Sequence, residues 1–314
     1  MNELNSFKIS PLLYGQFAIT DKTIYVSARN YNGLFAIDII SGRLAFMGKF
    51  LHQGSYDTSL FYIKNYGKKL IFIPSCAHEI AVFDIEKKQI KEISLKQVLS
   101  TYSIVMSTAV IYEDNLYLFP AQANSIIIYS MKNECILDVI NTAEIYKNVF
   151  REGYTALGST DSNYIYGNKI YIPCWTQSAF MSLDMDNKNV EFHRIAECTQ
   201  GFCALCGYGD IIYALNRNKE LIEWDIKSKK VISRTTVLED GNTAEHYRVI
   251  TVISGDIYLL SHIGILRIIK IDLGTKSVHK GLSQKLSDIL EKECINETVY
   301  FGKINEEKIY CYTD

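Results

Sequence analysis

The chain has 314 residues and a formal net charge of -2, from 33 Lys plus Arg against 35 Asp plus Glu. That balance excludes the clearly basic face that a phosphate-backbone or anionic-membrane binder needs, and no long uncharged apolar run is present to span a bilayer. At 48% hydrophobic and 12% aromatic, the sequence suffices for one large core or two ordinary ones.

The start, "MNELNSFKISPLLYGQFAIT", has no basic segment followed by an uninterrupted apolar one and reads as lacking a secretory leader. The eight cysteines then read as reduced thiols, and the location as cytoplasmic. With only 4 prolines and no Ser/Gly/Pro-rich linker, residues 1–314 read as a single domain.

Along the chain one pattern keeps returning: a turn, an apolar run, a polar gap, a second apolar run and a second turn. It is seen in "GKKLIFIPSCAHEIAVFDIEKKQI" (67–90), "EDNLYLFPAQANSIIIYSMKNECI" (113–136) and "GNKIYIPCWTQSAFMSLDMDNKNV" (167–190). Anchors in the first run of each unit, Tyr25, Ile71, Tyr117, Tyr171, Tyr213, Tyr258 and Tyr310, are spaced by 46, 46, 54, 42, 45 and 52 residues. Asp38, Asp84, Ser130, Asp184, Asp225 and Asp272 follow their anchors by 13, 13, 13, 13, 12 and 14 residues.

Each unit reads as four short strands; in the second they are "SLFYIKNY", "LIFIPS", "EIAVFDI" and "QIKEIS". The first three are β-branched, aromatic and too short for helices, whereas the last alternates apolar and polar as a half-exposed strand does. Tight turns such as "YGKK" and "YGNK" join strands one and two. The recurring Asp opens the turn between strands three and four, where its carboxylate accepts backbone N–H bonds. Pro74, Pro120 and Pro173 mark the end of the second strand.

A four-stranded sheet apolar on both faces cannot stand alone in water, but stacked sheets bury both faces. On these units the chain resembles the β-propellers over its full length, in the broad kelch- and quinoprotein-like sense of generic bacterial repeats. It lacks the Gly-His and Trp-Asp marks of one common repeat and the paired glycines of kelch proper. The resemblance implies an all-β, seven-bladed propeller of four-stranded antiparallel blades, with six blades the alternative. The ending "TVYFGKINEEKIYCYTD" gives the seventh unit its first two strands, and "NELNSFKIS" is the candidate closing strand.

Because strands alternate direction, both sets of tight turns share one end of each blade and the long connections share the other. These include 51–59, 96–107, 142–160, 238–247 and 281–297, with helical character in "TAEIYKNVF" and "LSQKLSDILEKE". Long loops on one side of a rigid scaffold are where binding residues concentrate. The same side receives the strand two-to-three connections, which contribute Arg29, Tyr31, His78, Glu79, Gln122, Trp175, Gln177, Arg217 and His262. The long loops and their flanks add Tyr56, Arg151, Tyr154, His246 and Arg248. Such side chains converging on a concavity suit a small molecule, a sugar or a peptide or protein partner.

Other motifs point less far. Cys198, Cys203 and Cys206 open a plant-type iron–sulfur spacing, but residues three apart on a strand face opposite sides, so they read as small buried hydrophobes. The six histidines are scattered singly with no zinc spacing. The pairs "HE" (78–79) and "EH" (245–246) read as loop residues, and no phosphate loop, nucleophile elbow or dinucleotide fingerprint is present. The expectation is a binding or scaffolding propeller with no cofactor or metal and no chemistry of its own. The alternative is a hydrolase or lyase with acid, base or metal ligands drawn from several blades.

Overall fold

A computed structural model of the chain describes residues 14–20, 22–28, 33–50, 60–74, 77–98, 106–120, 125–145, 157, 162–196, 198–237, 247–261, 264–265, 268–280, 298–305 and 308–313. The chain divides into two compact units, Met1–Ile104 with Asp314, and Val105–Thr313.

The first unit holds two four-stranded antiparallel sheets whose strand order follows the sequence. Sheet one is β1 (Tyr14–Thr20), β2 (Thr23–Ala28), β3 (Gly33–Asp38) and β4 (Leu44–Lys49). Sheet two is β5 (Leu60–Tyr66), β6 (Lys69–Pro74), β7 (Glu79–Asp84) and β8 (Gln89–Ser94). Between them lies a core that includes Tyr25, Leu34, Phe50, Ile63, Leu70, Phe72 and Phe83.

The second unit holds four more such sheets. Sheet three is β9 (Met106–Tyr112), β10 (Asn115–Pro120), β11 (Ser125–Ser130) and β12 (Cys135–Asn141), and sheet four is β13 (Tyr164–Tyr166), β14 (Lys169–Pro173), β15 (Ala179–Asp184) and β16 (Val190–Arg194). Sheet five is β17 (Phe202–Tyr208), β18 (Ile211–Asn216), β19 (Glu220–Asp225) and β20 (Lys230–Thr236). Sheet six runs through β21 (Tyr247–Ile253), β22 (Asp256–Ser261), β24 (Ile268–Asp272) and β25 (Val278–Lys280).

Sheet four shows why both faces of the inner strands are apolar. Ile170 and Ile172 of β14, with Met181 and Leu183 of β15, pack toward Phe119 and Ile128 of sheet three. Tyr171 and Phe180, one residue out of step on the same strands, pack toward Phe202, Ile212 and Trp224 of sheet five. The period-two alternation of a strand thus feeds two interfaces at once. Outer strands alternate exposed and half-buried positions instead, most regularly in β20.

The turns follow the expected chemistry. Gly67, Glu113, Gly167, Gly209 and Ser254 take a left-handed φ between 50 and 58° at the first central position of the two-residue hairpins. At the same end of each sheet the recurring carboxylate closes the other turn. Asp38 Oδ1 accepts the Ser41 amide at 2.8 Å, Asp84 that of Lys87 at 2.9 Å and Asp272 that of Thr275 at 2.6 Å. Ser130 Oγ does the same for Asn133 at 3.0 Å.

A regularity that composition had hidden lies four residues after each of these positions. Gly42, Lys88, Glu134, Lys188, Lys229 and Lys276 all take a left-handed φ of 52–66°. Three of the lysines reach back to the preceding sheet. Lys188 Nζ lies 5.9 Å from the centre of the Tyr117 ring, Lys229 Nζ is 2.6 Å from Glu191, and Lys276 Nζ is 2.6 Å from Glu223.

The structure corrects the reading of the cysteines. An extra residue interrupts the β17–β18 register between Phe202 and Ala204. This bulge shifts the facing of the strand, so that Cys203 and Cys206 belong to one buried cluster, on the side of sheet six. Similar register shifts fall near the start of β1, β5, β9, β21 and β26.

The seventh unit contributes β26 (Thr298–Asn305) and β27 (Lys308–Thr313) as expected. Their described third partner is β23 (Gly264–Ile265), a two-residue strand from the connection between β22 and β24, paired to the other edge of β26. The candidate closing strand "NELNSFKIS" and the loop 281–297 lie outside the described residues, as does most of 142–160.

Candidate functional site

Three connections meet at the end of sheets four and five opposite the tight turns: 174–178 between β14 and β15, 195–201 between the sheets, and 217–219 between β18 and β19. They are laced by backbone. The Phe202 amide donates to Cys174 O at 2.8 Å and the Arg217 amide to Gly201 O at 2.9 Å. Gly201 is buried, and a Cβ there would lie 1.9 Å from Trp175 O, so only glycine lets the two connections pass.

Asn216, fully buried, ties the third connection: its Oδ1 accepts the Glu220 amide at 2.9 Å and its Nδ2 donates to Glu220 Oε2 at 2.8 Å. The same carboxylate oxygen takes Arg234 Nη2 at 3.0 Å. Lys219 holds a left-handed φ of 69° to complete the bend.

On this rigid backbone the Arg217 guanidinium lies over the half-buried Trp175 indole, 5.7 Å from its ring centre. Trp175 packs in turn on the core between sheets five and six. A guanidinium on an indole gains about 0.5–2 kcal/mol, more as water is excluded. The same connections carry Gln177, Thr199 and Asn218, with Asn218 Nδ2 donating to Thr199 Oγ1 at 3.1 Å. Cys198 lies beneath, near Asn216 and Arg234; burial pushes its thiol up, against the pull of those donors. A raised thiol is a poor nucleophile.

Of the residues nominated from sequence, Trp175 and Arg217 are brought together here, and Gln177 lies on the same connection as Trp175. Arg248 is the extra residue at the β21 bulge, and its backbone alone is described. His78 and Glu79 belong to the first unit. The Glu79 carboxylate is buried, accepts the His78 amide at 3.1 Å and sits 3.7 Å from Lys96 Nζ. His78 Nδ1 is buried with no hydrogen-bond partner. Arg29, Tyr31, Tyr56, Gln122, Arg151, Tyr154, His246 and His262 lie outside the described residues.

Sequence reasoning missed Gly201, Asn216 and a buried group of sheet four, His193. The last sits on the outer strand β16, yet only 6% of it is exposed. Among the described residues no three His, Cys, Asp or Glu side chains gather to hold a metal, and no helix is long and apolar enough to cross a membrane.

No protein-family model matches the chain, and no curated protein is similar to it in sequence. Solved structures are similar in fold. BamB from Moraxella catarrhalis is 11% identical with a TM-score of 0.59, over 95% of this chain and 81% of that one. The RRP9 WD40 repeats are 10% identical with a TM-score of 0.59, over 87% and 80%. Dihydro-heme d1 dehydrogenase NirN, in complex with DHE, reaches a TM-score of 0.62 at 10% identity, over 85% of this chain and 56% of that one. With these neighbours, and six sheets of four antiparallel strands, the chain is a β-propeller repeat protein.

Proposed function

We propose that the chain is a single propeller domain that binds a protein or peptide partner on its long-connection side and does no chemistry itself. The observation that carries this reading is the Trp175–Arg217 pair, assembled from two different sheets on connections locked by backbone hydrogen bonds. Rigid, pre-formed aromatic and arginine anchors are what binding hot spots are made of. The WD40 repeats among the structural neighbours lend the comparison, and a small molecule or sugar in the same place is the narrower version of this reading. The triple variant Trp175→Ala, Arg217→Ala, His246→Ala should fold normally and lose partners that co-purify with the wild type. A control variant in the hairpin turns, Lys227→Ala, should retain them. Equal capture by the triple variant overturns the assignment of the binding side.

A second reading is a hydrolase or lyase using residues from several blades. It is favoured by the partnerless buried Nδ1 of His78 beside the buried Glu79 carboxylate. One equivalent of tightly held divalent ion in protein purified without affinity resin would select it.

A further inference from the structure

We propose that His193 is an acid-sensitive latch between sheets four and five that regulates the Trp175–Arg217 site carried by connections of those same two sheets; this rests on the binding reading of that pair.

The His193 ring is wedged between Tyr171 of sheet four and Trp224 of sheet five, with ring centres 5.7 and 5.2 Å away. Its Nε2 is 2.8 Å from Ser182 Oγ. Its Nδ1 faces Glu191 Oε1 at 3.7 Å, and that same oxygen takes Lys229 Nζ, from the turn of sheet five, at 2.6 Å. Lys169 of β14 is the other charge that acts on the ring. Phe180, which packs on both Trp224 and Phe202, completes the aromatic seam.

A proton on this ring has no good outcome. If Glu191 stays with Lys229, a cation is buried among aromatic rings without a full counter-charge. If Glu191 turns to His193, the ion pair that ties sheet five to sheet four is given up. Burial accordingly presses the His193 pKa down to about 4, against the pull of Glu191 and with the help of Lys229 and Lys169. The sign follows from linkage: once the seam opens, the ring recovers an ordinary pKa of about 6.5. The closed form is therefore favoured above that value and progressively less so as pH falls toward 4. From pH 7 to pH 5 the opening equilibrium should rise about twentyfold. Opening separates the sheets that carry Trp175 and Arg217.

Amide hydrogen exchange of the full chain, corrected for the intrinsic effect of pH, tests this at pH 7 and pH 5. Wild type should exchange about twentyfold faster at pH 5 through β15, β16 and β19, while His193→Phe and His193→Gln should not respond. Alongside it, wild-type tryptophan emission should shift at pH 5 toward that of Arg217→Ala, and the part of the shift that Trp175→Phe abolishes reports loss of the Trp175 stack, apart from Trp224 on the His193 ring. Equal acid response in wild type and both variants, or faster exchange with unchanged emission, overturns the proposal. If neither variant folds, nitrogen-labelled histidine in wild type decides: a His193 ring neutral down to about pH 4 supports the latch, and one that takes its proton near 6.5 with exchange unaltered sinks it. The exchange experiment uses no ligand, so it stands apart from partner capture by the triple variant.

Discussion

Gly201 leaves no room for a side chain, because the atom a Cβ would meet is the Trp175 carbonyl oxygen rather than a mobile side-chain tip. Backbone cannot yield as a rotamer can, so Gly201→Ala should cost about 1–3 kcal/mol and move the Trp175 stack with it. Denaturant unfolding followed by tryptophan emission checks both effects. A variant with wild-type stability and emission would show that the two connections are not locked. Gly207 poses the same problem in milder form: a Cβ there would lie 2.2 Å from the Tyr164 ring, which lies over this glycine while its hydroxyl donates to Gly209 O at 2.8 Å. Trp175, Gln177 and Arg217 were legible because polar and aromatic residues stood out in strand two-to-three connections. Gly201 and Asn216 were not, since their roles depend on which connection crosses which, and sequence spacing is silent on that. His193 escaped notice because its strand looked exposed, and the covering rings come from another strand of its own sheet and from the neighbouring sheet.

At the scale of the elements, the carboxylate-closed turns make a pH prediction of their own. Backbone N–H bonds hold Asp84, Asp184 and Asp272 below the usual carboxylate range, as those of Ser41 and Ile40 do for Asp38. A depressed folded pKa gives stability that is present above the unfolded value of about 3.9 and lost as pH falls through the folded one. Thermal scans should therefore show a second acid loss below about pH 4, distinct from the His193 response, and Asp84→Asn with Asp184→Asn should flatten it.

The left-handed lysines next to these carboxylates set two effects against each other. A non-glycine residue in that region costs about 1 kcal/mol, so Lys88→Gly should stabilise by up to that amount. Lys276→Gly gains the same relief but leaves the Glu223 carboxylate, with 8% of its side chain exposed, with Ser233 as its one hydrogen-bond partner among the described residues. An under-satisfied buried carboxylate costs about 1–3 kcal/mol, so this variant should be destabilised. Opposite signs in paired chemical denaturation curves are the expected result. The strands and turns were readable because hairpin chemistry is local and repeats every 45 residues or so. The β17 bulge was not, since it exists only as a mismatch between two strands, and it reversed the inferred facing of Cys203 against Cys206. Nor was β23, whose partner lies more than thirty residues further along the chain.

For the whole molecule, the repeat identified the architecture while leaving the function to the connections. Propellers at 10–11% identity include BamB, WD40 repeats and a dehydrogenase, so the fold is a scaffold compatible with several activities. Within this chain the construction is sided, with every described tight turn at one end of its sheet and the laced Trp175–Arg217 connections at the opposite end of sheets four and five. Hydroxyl-radical footprinting of the full chain, alone and with a co-purified partner bound, tests that sidedness most directly. Protection should fall on Trp175, Gln177 and Arg217, while the turns at 84–88, 184–188 and 225–229 react as they do in the free protein. Protection of those turns, with Trp175 and Arg217 as reactive as before, would contradict the account.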